Sequence, residues 1–455
     1  MHEVLSLSVG HRSNHLATQF FNCEEKKLYS QSAQENDFSV HLYPNHDKLN
    51  KTVSYTPRAL LWEARAGFGS LGTYQYSQGE DYFYSTNNNN SEEGNVVWTS
   101  PKIPKSDYQA ALDSGVGVPR LNSEAARYWS AYSRLIYSPS SFNMLRDWHH
   151  DVTKPDLPDF KGLNVHKFDT YEQGVQEFEE NHLQEFFDGN FHTQLEQCDT
   201  LQGINMISSF DTAWGGFSSA LLIELRNELP KTTVFAWNYY HRDVKINRAA
   251  IPSLESKIRG TIVCGEEADL VLPLAIKWSD SDWEQAGQTC RVLDTVNCVL
   301  SQRKGRQSMD YLKNSIAIGD QKRNFASSIL EEQEHSYFAD IPVFKNGHAE
   351  PYVFSECAIT RGEGKETIKK NKINMNTFEF LPSDTIPDQY REPAQFSLKL
   401  ASTEKCRDVF LYWRDLTYKY LRSALDGEEV IENLATMAAA YEHGLYDDED
   451  SGDDL

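Results

Sequence analysis

Two short segments of this 455-residue chain carry residues that could bind a nucleotide phosphate. Residues 10–15 are GHRSNH and follow an apolar run, and residues 211–217 are DTAWGGF and precede a second apolar pattern. Glycine-rich turns that lead into a helix bind anions because their backbone N–H groups and the helix dipole both face the ligand. The two segments contain Gly10, Asn14, Gly215 and Gly216, and the family resemblance described below implies that these are the candidate cofactor-binding residues.

The second segment departs from a good phosphate loop. Such a loop needs glycine, which permits positive φ and lets the backbone approach the anion. Asp211 places a negative charge where a triphosphate would lie, and at about 4 Å with an effective dielectric near 20 this repulsion costs roughly 4 kcal/mol. Trp214 and Phe217 add bulk near the expected phosphate position, or alternatively they only pack in the core. Gly10 and Asn14 also have a simpler alternative, in which Gly10 only turns the chain after a strand and Asn14 only caps a helix. The family resemblance described below implies that the nucleotide would be GTP, and on that basis we predict a vestigial site with no required cofactor and only weak GTP binding.

The remaining chemistry-bearing residues form no catalytic pattern. His11 and His15 have the i, i+4 spacing of two zinc ligands on a helix, but no third ligand accompanies them, so no metal site is predicted. His149 and His150 lie beside a proline-marked connection and are expected to be exposed. Residues 361–365, RGEGK, lack the spacing of a P-loop, and no G-x-S-x-G nucleophile motif occurs. We therefore predict no catalytic residues.

Apolar patterning supplies the elements that would position the two segments. Residues 4–9 predict a buried strand that leads through Gly10 into an amphipathic helix, and residues 59–64 predict another strand. Residues 203–210 predict a strand, a helix with leucines on one face follows, and residues 232–237 predict a further strand. Such a β-α-β unit requires a right-handed crossover and a parallel sheet. The chain is therefore predicted to be an α/β protein.

Other stretches give less specific expectations. Residues 125–136 carry apolar residues at helical spacing behind a capping residue, which predicts a helix. Residues 259–276 contain two more apolar strand candidates, and the pattern from about 406 to 440 is helical. Residues 77–95 are polar and predict a solvated loop. The acidic stretch DDEDSGDD at residues 447–454 predicts disorder.

Composition narrows the classes of function. The formal net charge of −23 argues against direct binding of nucleic acid, which requires clustered Lys and Arg. The seven cysteines are odd in number and form no CxxC pair, which is typical of a reduced compartment without structural zinc. No run of 18 apolar residues occurs, so no membrane-spanning segment is predicted. The first 25 residues contain Glu3, Glu24 and Glu25 and a single arginine, which does not fit a cleavable, Arg-rich targeting presequence.

Two segments resemble tubulin. Within residues 3–21, Gly10 and Asn14 match the first glycine and the asparagine of the tubulin loop G-Q-C-G-N-Q, which meets the nucleotide phosphates. Residues 198–230 match the tubulin pattern C-D-x-L-Q-G and then its L-L-I helix without a gap. The tubulin loop G-G-G-T-G-S-G between these matches is degraded, because only Gly215 falls on a glycine position and Gly216 falls on the serine. The matching residues are Cys198, Asp199, Leu201, Gln202, Gly203, Leu221, Leu222 and Ile223.

A tubulin frame without the glycine loop resembles the Misato family, including its yeast members. Residues 55–74, 124–143 and 210–231 fit that family better than tubulin, and the resemblance covers roughly residues 1–300. The most specific matches are Pro57-Arg58, Gly67-Phe68-Gly69-Ser70-Leu71 and Trp129-Ser130. The resemblance implies a tubulin-like α/β fold, with an N-terminal Rossmann-like parallel-sheet domain of the nucleotide-binding type, a second α+β domain and C-terminal helices.

The resemblance also suggests a domain organisation. Residues 1–120 would form a Misato segment with a tubulin-like N-terminus, and residues 121–300 a tubulin-like domain. Residues 301–445 would form a C-terminal α/β and helical region, and residues 446–455 an acidic disordered tail.

The function implied by the resemblance is that of a non-enzymatic, tubulin-like protein in the partitioning of mitochondria and the inheritance of mitochondrial DNA. It implies peripheral association with the mitochondrion from the cytoplasm, with mitochondrial outer-membrane or cytoskeletal proteins as partners. Two alternatives stay open. The first is a GTP-binding, polymerising GTPase like tubulin itself, and the second is a factor that assists assembly of tubulin or the cytoskeleton.

Overall fold

The structure is a computed structural model of the full chain. It describes residues 2–47, 51–71, 103–155, 157–162, 165–242, 250–277, 280–341, 351–362, 372–422 and 426–443. The predicted solvated loop at 77–95, the acidic tail at 446–455 and most of the RGEGK segment lie outside these residues.

Fourteen strands are assigned in the described residues. In the first half of the chain they are β1 (Glu3–Val9), β2 (Leu42–Asp47), β3 (Thr52–Pro57), β4 (Ala59–Arg65), β5 (Phe142–His149), β6 (Phe160–Lys161) and β7 (His166–Lys167). In the second half they are β8 (Leu201–Ser209), β9 (Thr233–His241), β10 (Leu270–Ile276), β11 (Ser328–Leu330), β12 (Val353–Arg361), β13 (Lys372–Thr377) and β14 (Ser397–Thr403).

The main sheet has the strand order β10-β9-β8-β1-β4-β5-β6-β7. The six long strands, from β10 to β5, are all parallel. Numbered by their order in the chain, these six strands run 3-2-1-4-5-6 across the sheet, which is the doubly wound Rossmann order. The order reverses between β1 and β8. In sheets of this kind a ligand crevice lies at that point, outside the carboxyl ends of the strands.

In the described part of the chain, nine longer helices surround the sheets. They are α1 (His11–Leu28), α2 (Asp107–Ser114), α3 (Tyr171–Asn181), α4 (Trp214–Glu228), α5 (Ile251–Glu267), α6 (Asp282–Ser301), α7 (Met309–Ile316), α8 (Lys405–Tyr420) and α9 (Gly427–Ala440). Shorter turns lie at Leu183–Glu185, Phe186–Phe191, His192–Glu196 and Tyr337–Asp340. No helix among the described residues is long and apolar enough to cross a membrane.

Both faces of the main sheet are covered, because alternate strand residues enter two different cores. Val4 packs in the core that contains residues of α1 and α6, whereas its neighbour Leu5 packs in the core that contains α3, α4 and α5. All seven residues of β1 are buried, as a central strand with helices on both faces requires. The β-α-β expectation for residues 203–237 is confirmed by β8, α4 and β9.

A second, mixed sheet has the order β11-β14-β12-β13 and contributes residues to the same core as α6. The C-terminal helices α8 and α9 pack on each other and on α5. The predicted fold class is therefore confirmed: the chain is a tubulin-like α/β protein with a parallel Rossmann-like sheet, a second α+β unit and C-terminal helices.

Two of the elements predicted from the sequence differ from the structure. Residues 125–136 form only a short 3₁₀ turn at Trp129–Tyr132, because the buried Trp129 indole packs among Phe68, Tyr137 and Phe142 instead of on a helix face. Only one of the two strand candidates in 259–276 exists, since residues up to Glu267 belong to α5. A short β-branched run such as residues 261–263 cannot be assigned to strand or helix by periodicity alone.

Candidate functional site

Gly10 joins β1 to α1 at the point where the strand order reverses. Its φ of +88° is a left-handed conformation that favours glycine. The indole ring of Trp214 lies so close that a Cβ on Gly10 would be 3.2 Å from it. Glycine is thus required at this position both by the positive φ of the turn and by the nearby indole ring.

Asn14 makes three hydrogen bonds inside the protein. Its Nδ2 donates to the carbonyl oxygen of Trp62 at 2.9 Å and to Glu63 Oε2 at 3.1 Å. Its Oδ1 accepts from Ser8 Oγ at 2.7 Å. No side chain caps the start of α1, so the alternative role of Asn14 as a helix cap is wrong. Asn14 instead ties α1 to β1 and β4.

Glu63 is the fully buried acceptor at the centre of this network, and it was not identified from the sequence. Its Oε2 accepts from His11 Nδ1 at 2.9 Å and from Trp129 Nε1 at 2.8 Å, and Oε1 accepts from the Ala64 backbone. Burial raises the pKa of Glu63, but the His11 ring outweighs it and the net pKa is lowered. The only signal in the sequence was a carboxylate within the apolar run ALLWEA.

His11 is the cation of this network. Burial lowers its pKa, but the Glu63 carboxylate raises it to a net value of about 9. The protonated ring can donate from Nδ1 to Glu63 and from Nε2 to the Arg127 carbonyl oxygen at 3.0 Å. Burial and the nearby His11 lower the pKa of His15 to about 3, so His15 stays neutral at physiological pH.

His11 and His15 both make hydrogen bonds within the protein. Among the described residues, no group of three or more His, Cys, Asp or Glu side chains is placed to bind a metal ion. His15 instead pairs through Nδ1 with the Tyr132 hydroxyl at 2.7 Å. The network is an imidazolium–carboxylate pair, and the largely buried Arg12–Asp282 ion pair, whose Nε and Oδ1 are 2.7 Å apart, lies beside it.

His150 is buried, so the expectation that it would be exposed was wrong. It is 7% exposed, its ring stacks on His11 with centroids 4.0 Å apart, and its Nδ1 lies 2.7 Å from Asp159 Oδ1. Asp159 Oδ2 accepts from Trp214 Nε1 at 2.7 Å. Asp159 therefore fixes the indole that covers Gly10. Since Asp159 is separated in sequence from both partners, nothing in the sequence indicated this contact.

The residues at the tubulin glycine loop have become part of a helix. α4 begins at Trp214, so Gly215 and Gly216 lie in its first turn. A Cβ on Gly216 would clash with the backbone carbonyl oxygen of Tyr171 at the start of α3, and one on Gly215 would meet Ser256 Oγ. Both glycines serve close packing of helices, and the Gly215 N–H donates to the Thr212 carbonyl oxygen at 3.0 Å.

Asp211 and Phe217 are likewise committed to protein contacts. Asp211 Oδ2 accepts from the His241 backbone N–H at 2.9 Å, and Oδ1 lies 3.3 Å from Lys257 Nζ. The negative charge that was expected to repel a triphosphate is thus compensated by Lys257. Phe217 is fully buried against Trp214, which supports the core-packing alternative for both aromatic residues.

The crevice that remains at the switch point is small. Its volume is about 40 Å³, with walls that include Gly10, Arg12, Ser209 and Thr212. Pockets for drug-sized ligands usually have about 300–1,000 Å³. A guanine nucleotide, which the tubulin-like fold implies, does not fit the described residues in this arrangement. Of the four predicted binding residues, Gly10 lines this crevice, whereas Asn14, Gly215 and Gly216 are not among its wall residues and make contacts within the protein.

The doubly wound sheet and the filled crevice define a tubulin-like protein with a remodelled nucleotide site. The family model for the Misato Segment II tubulin-like domain matches residues 2–114, and the model for the tubulin domain matches residues 118–302.

Full-length relatives give the same assignment. Protein DML1 of Kluyveromyces lactis is 42% identical, and Protein DML1 of Eremothecium gossypii is 40% identical, each over 100% of both chains. Protein DML1 of Debaryomyces hansenii is 29% identical over 99% of both chains. The chain belongs to the Misato family of tubulin-like proteins, together with these DML1 proteins.

Proposed function

We propose that this chain is a non-enzymatic, tubulin-like scaffold that acts in the partitioning of mitochondria and the inheritance of mitochondrial DNA. The observation that carries the non-enzymatic part is the filled crevice between β1 and β8. Trp214, Asp159 and the His11–Glu63 pair occupy the region where a nucleotide would lie in a doubly wound fold.

The same geometry disfavours the alternative of a polymerising GTPase. Opening the crevice would require the Trp214 indole to leave Asp159, which would take a hydrogen bond from that buried carboxylate and expose the apolar ring. Removing a hydrogen bond from a buried polar group is costly. Binding energy from a nucleotide would have to offset that cost before any hydrolysis could begin.

The mitochondrial part of the proposal rests on membership of the Misato family and on the function that the resemblance implies. The scaffold would associate peripherally with mitochondria from the cytoplasm and bind outer-membrane or cytoskeletal proteins. A net charge of −23 favours an indirect effect on the mitochondrial genome, through the distribution of the organelle instead of contact with DNA.

The first test is equilibrium binding of a fluorescent GTP analogue to the purified chain with Mg²⁺, beside tubulin as a positive control. We expect no saturable binding up to high micromolar nucleotide. Saturable binding that is lost in a folded Ser209→Val variant, which narrows the crevice, would overturn the proposal that the crevice holds no nucleotide.

The second test asks whether the crevice is needed in cells. The chain is depleted, and rescue is compared for the wild type, Ser209→Val, which fills the crevice further, and Ser114→Val, the same change at an exposed site on α2. We expect depletion to disturb the mitochondrial network and the retention of mitochondrial DNA, and all three chains to rescue. Normal mitochondria after depletion would refute the organelle role. Failure of folded Ser209→Val alone would indicate a ligand in the crevice.

A further inference from the structure

The helix α8 carries charge of the opposite sign to the rest of the chain. Residues 405–422 contain five Lys and Arg side chains and two Asp side chains, whereas the whole chain has 44 basic and 67 acidic side chains. Val409, Phe410 and Trp413 pack in the core, so another side of the helix is left to solvent. We call the residues on that side the α8 face, and they are Arg414, Asp415, Tyr418, Lys419 and Arg422.

The α8 face is contiguous and exposed. Arg414, Tyr418 and Arg422 follow one another at four-residue spacing, which places them on one side of the helix. Tyr418 is 59% exposed, and Lys419 and Arg422 are exposed as well. An aromatic ring thus lies at the centre of this surface, with a guanidinium group one turn away in each direction.

Two cations of the α8 face lack a carboxylate partner. Arg414 is engaged by Asp415, because its Nη2 lies 3.0 Å from Asp415 Oδ1. Lys419 and Arg422 form no ion pair with a described residue, although acidic side chains outnumber basic ones in the chain. Two positive charges are therefore available to a partner.

Aromatic rings hold these two cations in place. The Arg422 guanidinium lies 4.9 Å from the Tyr418 ring centroid, and its Nη1 donates to the Tyr418 hydroxyl at 3.1 Å. The Lys419 Nζ lies 4.9 Å from the Tyr420 ring centroid. Such contacts restrict the side chains while leaving their charge, so less conformational entropy is lost when an anion binds. Tyr and Arg are also the residue types that contribute most to binding energy in protein interfaces.

The partner that fits this surface is acidic and narrow. Nucleic acid requires a longer stripe of clustered Lys and Arg than two unpaired cations provide. An anionic membrane is flat, and α9, which packs against α8, exposes Glu428, Glu429 and Glu432. Leu416 and Tyr420 pack partly against the core, so the α8 face has little apolar surface to insert into a bilayer. A peptide segment can follow α8 and avoid the carboxylates of α9.

The net charge of −23 does not prevent this contact. At physiological salt, exposed charges more than about 8 Å apart are largely screened from each other. A segment that lies on α8 therefore responds mainly to the cations beneath it.

We propose that the α8 face is a docking surface for an acidic segment of a partner protein. Two carboxylates of the segment pair with Lys419 and Arg422, and the Tyr418 ring packs against the segment between them. None of these residues lines the switch-point crevice, so the inference does not rest on the proposed function. A chain that bound GTP could still dock the acidic segment.

The test is titration of the full-length chain into a fluorescein-labelled decaglutamate peptide, followed by fluorescence anisotropy. We expect saturable binding that weakens as NaCl rises from about 50 to about 300 mM. Lys419→Gln/Arg422→Gln is expected to weaken binding at least about tenfold, because both ion pairs with the peptide are lost. Lys304→Gln/Lys322→Gln removes the same charge from two exposed positions outside α8 and is expected to behave as the wild type.

The tyrosine ring is tested separately. Tyr418→Phe keeps the ring against Arg422 and is expected to bind within about twofold of the wild type, whereas Tyr418→Ala releases Arg422 and is expected to bind about threefold more weakly. Equal affinity of the alanine and phenylalanine variants would show that the ring does not position the cation for the peptide.

Three results would overturn the docking surface. Unchanged affinity of folded Lys419→Gln/Arg422→Gln would place the peptide elsewhere on the chain. Absence of saturable binding up to millimolar peptide would show that the α8 face does not hold an acidic segment. Cosedimentation with phosphatidylserine vesicles that is lost in the same double variant, without peptide binding, would assign the face to a membrane. Thermal melts of every variant verify that it is folded.

Discussion

At the scale of single residues, positions of a phosphate loop have been kept while their contacts have changed. Gly10 still turns the chain at the end of β1, but it faces the Trp214 indole. Asn14 still lies in the first turn of α1, but its amide bonds Glu63 and the Trp62 backbone. A protonated His11 supplies the positive charge beside Glu63 from within the chain.

The His11–Glu63 pair predicts a pH-dependent contribution to stability. Because the folded pKa of His11 is about 9 and its ordinary value is 6.5, the contribution is fully present below pH 6.5 and is lost as the pH rises through 9. This pKa difference corresponds to roughly 3 kcal/mol. His11→Gln should therefore be less stable than the wild type at pH 6, and the difference should shrink steadily toward pH 10. Urea unfolding at several pH values measures it.

His192→Gln is the matched control for this experiment. His192 is 63% exposed and pairs only with Glu196 at 3.5 Å, so its substitution should change stability by a few tenths of a kcal/mol. A stability difference for His11→Gln that stays constant from pH 6 to pH 10 would mean that His11 is not charged in the folded protein.

The sequence indicated which residues lie at the β1–α1 turn, but it did not indicate which side chains those residues contact. Gly10 and Asn14 could be selected because their neighbours follow a strand and open a helix. Glu63 and Asp159 could not, since each acquires its role from partners that only the folded chain brings near. His150 was expected at the surface for the same reason, as the carboxylate that buries it lies on a different segment.

At the scale of elements, the packing of α3 on α4 requires a glycine on each helix. Gly174 of α3 approaches the Ala213 carbonyl oxygen, and Gly216 of α4 approaches the Tyr171 carbonyl oxygen, both too closely for a Cβ. The two helices therefore hold each other at backbone contact. This contact closes the N-terminus of α4, where a phosphate loop would be open.

Gly216→Ala is expected to destabilise the protein by about 3 kcal/mol, because overpacking against rigid backbone forces the helices apart. The sign is informative, since a glycine-to-alanine change within a helix ordinarily stabilises by about 1 kcal/mol. Gly215→Ala should cost less, because its nearest obstacle is the Ser256 side chain, which can rotate. Urea unfolding of both variants measures the difference.

Gly189→Ala is the control, because nothing lies within 4 Å of the added Cβ in the helical turn Phe186–Phe191. It should leave stability unchanged or raise it slightly. If Gly216→Ala behaved like Gly189→Ala, the two helices would not be in backbone contact and the site would be more open than described.

Elements were predictable where a local pattern and the tertiary packing agree. β1, α1, β8, α4 and β9 each have apolar spacing that matches their burial, so the β-α-β core followed from the sequence. The stretch around Trp129 also has helical spacing, but its aromatic side chains pack as a cluster and Ile136 is 64% exposed, so tertiary contacts overrode the pattern. The short strand β11 and the hairpin of β2 and β3 have no apolar spacing that predicts a strand.

At the scale of the whole molecule, a buried charge cluster joins the Rossmann-like sheet region to the second sheet. Lys27 of α1 lies 2.5 Å from Glu24 and 2.6 Å from Asp294 of α6. Arg361 at the end of β12 also pairs with Asp294. All four side chains are 0% exposed. Two cations and two carboxylates thus balance within one enclosed site where α1, α6 and the second sheet meet.

Because this cluster links the two sheets, we predict that they unfold together. Removing one charged side chain should destabilise the protein, since it leaves the other charges of the cluster buried without a full set of partners. Asp294→Asn leaves Lys27 and Arg361 with one buried carboxylate, so it should cost about 3–5 kcal/mol. Asp113→Asn breaks the exposed Lys105–Asp113 pair and should cost about 0–1 kcal/mol.

Urea unfolding followed by tryptophan fluorescence and by far-UV circular dichroism should give coincident transitions for the wild type and Asp113→Asn. A wild-type-like midpoint for Asp294→Asn would show that the cluster does not join the two sheets, and separate transitions in the wild type would show that the sheets unfold independently.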